Sequence, residues 1–118
     1  MKWTVAIVTV VVGVTGLCRA DDARRTFDDR DRCLVPDGVS PEQKLESCTV
    51  VIQSAGQTRQ VLVAAYNDRG VVYASKRDYA RAIADYDQAL TSDLDDPYLT
   101  EVRQSRKRAL AATTTPPE

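Results

Sequence analysis

Residues 64–97, AAYNDRGVVYASKRDYARAIADYDQALTSDLDDP, decide the fold. Tyr66, Gly70 and Tyr73 recur at spacings of four and three, and Ala82, Ile83, Tyr86, Ala89 and Leu90 follow the same rule. That is the period of an amphipathic helix, not of a strand. Lys76-Arg77-Asp78 interrupts the pattern, and Asp78 is suited to cap a second helix. The stretch therefore predicts two antiparallel helices joined by a tight turn. Gly70, Ala82 and Ala89 keep the facing surfaces shallow, so the helices approach closely, and the tyrosines fill the remaining volume.

This pattern resembles a tetratricopeptide repeat. That family places an aromatic, a glycine and a tyrosine on its first helix, then alanine, aromatic, alanine on its second. Tyr66, Gly70, Tyr73, Ala82, Tyr86 and Ala89 match in order and spacing. Arg69 stands where the family has leucine, and Pro97 falls three residues late. The resemblance implies an all-α fold, with antiparallel helical hairpins of a short solenoid and a C-terminal capping helix. It also implies a concave groove for a protein or peptide partner, here showing Asn67, Val71, Ala74 and Ser75. Asn67 carries an amide able to pair with a peptide backbone, although an ordinary exposed polar residue of the helix is the plainer reading.

Outward from the hairpin, Ser40-Pro41-Glu42-Gln43 is a helix start: Ser40 as cap, Pro41 at the first position, Gln43 completing a capping box. Leu45, Cys48, Val51 and Ile52 share a face, and Gly56 supplies a stop. A shift of 38 residues lays these four over Ile83, Tyr86, Ala89 and Leu90. A degenerate earlier repeat is expected here, with Cys48 in the place of a packing aromatic. Thr58 caps the next helix. Asp96-Pro97 starts the last one, whose thin stripe of Leu99, Val102 and Leu110 lies among charges, as suits a terminal cap.

The first 20 residues read as a secretory signal peptide. Lys2 precedes an apolar run of about 15 residues, and Cys18-Arg19-Ala20 places small residues before Asp21. A retained anchor is the alternative, although that run is shorter than the roughly 20 residues that span a bilayer. Residues 21–32, DDARRTFDDRDR, are expected as a solvated charged linker turning helical near Cys33. The helical domain is expected over 33–112, with 113–118 as a disordered tail.

Removing residues 1–20 takes away Lys2 and Arg19 and no acid, for a net charge of about −3. This balance argues against nucleic-acid binding. The one basic run, Arg103, Arg106, Lys107 and Arg108, is expected as a solvated face near a helix C-terminus. Cys33 and Cys48 remain, an even count that suggests a structural disulfide in an exported chain. No histidine is present, which excludes a Cys/His zinc site and a Cys–His nucleophile pair.

The aspartates carry no catalytic expectation, because none lies on an apolar face by period; Asp85 and Asp87 should point to water. No metal and no cofactor are expected. The expected role is an exported, non-enzymatic protein-interaction scaffold, periplasmic or secreted. A homo-oligomeric structural subunit pairing through its stack end is the alternative, and a cysteine-based redox factor is a third. Membrane contact is expected only through an uncleaved signal segment.

Overall fold

The computed structural model describes residues 20–35, 37–93 and 97–115. Among these residues five helices follow in order: α1 Ala20–Leu34, α2 Pro41–Gln53, α3 Arg59–Ser75, α4 Tyr79–Leu90 and α5 Pro97–Thr114. Among the described residues there is no strand, so the chain is all-α. Consecutive helices pack on one another as hairpins. The central helix α3 touches all four others, α1 and α5 included.

The caps hold where local chemistry placed them. Ser40 Oγ accepts from the Gln43 amide at 3.2 Å, and Gln43 Oε1 accepts from the Ser40 amide at 3.2 Å. Thr58 and Asp78 accept from the amides of Val61 and Arg81, each at 3.3 Å. These bonds satisfy amides that a helix start leaves without intrahelical partners. The turn after α3 closes with Asp78 N–H donating to Tyr73 O at 2.9 Å and Arg77 N–H to Ala74 O at 3.0 Å. That pairing sets Arg77 in the left-handed region, at φ 62°, where glycine is the usual occupant.

Two apolar clusters form the core. One gathers Val63, Ala82, Tyr86, Ala89, Leu99, Val102 and Ala109. The other gathers Cys33, Cys48, Val51, Val61 and Ala65. A disulfide joins Cys33 to Cys48, tying α1 to α2. Gly70 lies at a close approach of α3 and α4: a Cβ built there would lie 2.8 Å from Cε1 of Tyr86. Ala82 and Ala89 are fully buried, as the approach of neighbouring helices requires.

Two boundaries differ from those read in the sequence. The charged stretch 21–32 is not an irregular linker but most of α1. Acidic and basic residues alternate along it at helical spacing, as in Arg24, Asp28 and Arg32, which supports an isolated turn. Asp29 lies 3.7 Å from Arg32 and accepts from Ser47 Oγ at 3.1 Å, anchoring the helix to α2. At the other end, α5 runs through Thr114, two residues past the expected edge at 112. The hydroxyls of Thr113 and Thr114 donate to the carbonyls of Leu110 and Ala111 at 2.6 and 2.9 Å, serving the unpaired acceptors of the last turn.

The expected signal segment lies outside the described residues apart from Ala20, as do Asp96 and the end of the tail, 116–118. Among the described residues no helix is long and apolar enough to cross a membrane.

Candidate functional site

Because Gly70 has no side chain, the ring of Tyr86 lies directly against α3. Tyr86 also borders the gap between α3 and α5. There a cleft of about 350 Å³ opens, walled by Val71 and Ala74 of α3 and by Glu101, Ser105, Arg108 and Ala109 of α5, with Tyr86 beneath. The four α5 residues share one helical face by spacing. Val71 is 46% exposed, a large apolar side chain left open to solvent.

Of the four groove residues expected from sequence, Val71 and Ala74 line this cleft. Ser75 is exposed, and its hydroxyl donates to Val72 O at 2.6 Å. Asn67 is a correction. It is only 5% exposed, so it does not offer its amide to a ligand. The reason is that α3 is contacted by all four other helices, which leaves little of its circumference free. Its Oδ1 is buried without a hydrogen-bond partner. Beside it, burial raises the pKa of the Asp68 carboxyl; Lys44 and a hydrogen bond from Asn67 pull the other way.

Asp85 is the second correction. It does not point to water but is 5% exposed. Arg69 holds it with two bonds, Nε to Oδ2 and Nη2 to Oδ1, both 2.8 Å. Arg69 Nη1 also donates to Thr49 Oγ1 at 3.0 Å, so one guanidinium ties α2, α3 and α4 together. Tyr66 and Tyr73 flank it, with ring centroids 5.7 and 6.0 Å away. The bond to Asp85 raises the Arg69 pKa further, against the effect of burial. A signal for this pair was present: a cation at a leucine position on a core face needs a counter-ion on the helix it faces. Asp87, by contrast, is exposed as expected and pairs with Arg106.

A larger hollow, about 600 Å³, lies between the start of α3 and the end of α4. Its polar rim is already paired: Arg59 bonds Asp93, and the hydroxyls of Thr91 and Ser92 donate to the carbonyls of Gln88 and Ala89. The α3–α5 cleft differs in holding the guanidinium of Arg108. Arg108 has no carboxylate within ion-pair distance among the described residues. Among the described residues its bonds are long ones within its own helix, 3.4 Å to Gln104 O and 3.5 Å to Ser105 Oγ.

Cys33 and Cys48 are both fully buried and joined to each other. Among the described residues no group of three or more His, Cys, Asp or Glu side chains is placed to hold a metal ion. Comparison with protein-family models, curated proteins and solved structures found no match to this chain.

Proposed function

We propose that this chain is a non-enzymatic interaction module of tetratricopeptide-repeat type, exported to the periplasm or medium, that seats a segment of a partner protein between α3 and α5. The observation that carries this reading is the α3–α5 cleft, with Val71 open to solvent along its wall. In a stack of helical hairpins the first helices of successive units line one concave side. Here α1, α3 and α5 alternate with α2 and α4, and α3 contacts both α1 and α5. The burial of both cysteines in one disulfide supports a structural rather than a reactive role for them. The outward side of α5 carries charges such as Arg103 and Lys107, both exposed, which suits a terminal cap better than a self-pairing end.

The test is co-purification from the exported fraction with wild type and Val71→Glu. Loss of the partner with the variant, at unchanged thermal stability, is the expected result. Equal recovery with both proteins sinks the assignment of the cleft. Intact-mass measurement of the exported chain tests export: a mass that includes residues 1–20 contradicts cleavage after Ala20.

A further inference from the structure

The last helix turns one side to the core and the other to solvent. Leu99, Val102 and Ala109 are buried in the core. On the far side, Thr100, Arg103, Gln104, Lys107, Ala111 and Thr114 share one stripe by helical spacing, and all six are exposed. Among the described residues α5 packs on α4 and α3 and on no other helix. Arg108, one turn after Gln104, is exposed at the border of the stripe. Among the described residues Arg103, Lys107 and Arg108 have no carboxylate within ion-pair distance. Arg106, on the inner side, is held by Asp87. Leu110 is 37% exposed and sits beside the stripe, three residues after Lys107 and four before Thr114.

Charge in this molecule is therefore segregated. The helix α5 carries four basic residues and one acid, Glu101, which lines the α3–α5 cleft and not the outward stripe. The whole chain has a net charge of −1, so everything outside α5 is acidic on balance. Such a distribution orients the molecule, α5 first, toward an extended negative surface. The width of a helix, about 10 Å, keeps the acidic remainder about one Debye length away from a plane that α5 touches. A nucleic acid fits less well. The stripe holds no aromatic ring on which a base could stack, and a polyanion longer than one helix would meet the acidic remainder. A lone exposed leucine beside cations is instead the composition of a helix lying at a lipid headgroup boundary.

We infer that the outward face of α5 docks on an anionic phospholipid surface, with headgroup phosphates accepting from Arg103, Lys107 and Arg108 while Leu110 dips between them. This contact is independent of the α3–α5 cleft and of residues 1–20. It places the molecule end-on at a membrane and leaves its other helices facing away from the lipid.

The experiment is co-sedimentation of the chain, as purified from its own cells, with vesicles at low salt. One set contains phosphatidylglycerol and phosphatidylcholine in equal parts, the other phosphatidylcholine alone. Binding to the anionic set should be at least about tenfold tighter, and salt raised to about 0.5 M should release the protein. A retained apolar N-terminus would bind both sets alike, so the difference between them is the readout. Arg103→Gln and Lys107→Gln should each weaken anionic binding about fivefold, at unchanged thermal stability. Arg77→Gln removes the same charge from the α3–α4 turn and should change little. Leu110→Ala should weaken binding about threefold without altering its salt dependence. Equal binding to both vesicle sets overturns the inference. An equal loss in Arg77→Gln and Lys107→Gln overturns the assigned face in favour of net charge alone. A DNA duplex bound as tightly as the anionic vesicles overturns the lipid surface in favour of nucleic acid.

Discussion

The two hairpins, α1–α2 and α3–α4, repeat one pattern with different contents. Leu45, Cys48, Val51 and Ile52 have the same burial, residue for residue, as Ile83, Tyr86, Ala89 and Leu90, 38 positions on. At the buried aromatic position of α4, the α2 helix carries Cys48. Where Tyr86 reaches α3 by packing on Gly70, Cys48 reaches α1 by a covalent bond to Cys33. The preceding position is also matched. Ser47 hydrogen-bonds Asp29 across the first hairpin, and Asp85 pairs with Arg69 across the second. One helix-pair geometry is thus satisfied by two chemistries: a disulfide with a neutral-to-charged bond, or an aromatic ring with a full ion pair. A helix as polar as α1 has little apolar surface to offer, so a covalent tie replaces burial.

The contrast can be broken from either side. The largest effect is expected at the second hairpin's ion pair. Asp85→Ala leaves Arg69 buried without its counter-charge, a loss of about 3–5 kcal/mol in denaturant melts. The double variant Arg69→Leu, Asp85→Leu should recover most of it, because it removes both charges together. Failure of the double variant to recover would mean that the guanidinium's bond to Thr49 and its place between two tyrosines matter more than the pair.

Removing the bridge from the first hairpin, by Cys33→Ala with Cys48→Ala, should cost about 3 kcal/mol for a loop of this length. Hydrogen exchange should then quicken in α1 and α2 well before α3 and α4. Uniform quickening across all five helices would show that the two hairpins do not melt separately.

Gly70→Ala tests the aromatic filling. The new methyl meets the Tyr86 ring at 2.8 Å, so the ring must shift. A net loss of about 1–2 kcal/mol is expected, overpacking outweighing the gain in helix propensity. A stabilised variant would show that the ring moves freely.

Asp68→Asn should raise the melting temperature at pH 7. Burial raises the folded-state pKa of Asp68 above its ordinary value of 3.8, so its charge opposes folding. The penalty is complete above the folded pKa, fades as pH falls through it, and is gone below about 3.8. The benefit of the variant should therefore vanish in acid; a benefit independent of pH contradicts a charge effect. Arg77→Gly, smallest of all, should stabilise by about 0.5–1 kcal/mol by relieving the left-handed backbone of the α3–α4 turn. Thermal melts at neutral pH read both.

Much of this was legible along the chain. The helical periods, the three caps, the close helix approach at Gly70 and the pairing of Cys33 with Cys48 follow from local spacing and composition. Of the four residues expected to line a groove, Val71 and Ala74 line the α3–α5 cleft and Asn67 and Ser75 do not. Asn67 and Asp85 were misread for one reason. Period on a single helix says which residues share a face, but not how many faces neighbours cover. With α1, α2 and α5 packed around the α3–α4 hairpin, sides that look polar and outward are enclosed. The α1 helix escaped notice because its charges, read singly, suit a solvated coil as well as a helix held by an anchor at one end.

What the amino-acid order determined alone is therefore the set of rods and the places where they touch closely, since helix period, capping and small-residue spacing act within a few residues. What only the assembled molecule decided is which polar groups meet: Arg69 with Asp85, and Ser47 with Asp29. Those pairs join positions on different helices, and the distance between them is set by packing, not by sequence separation.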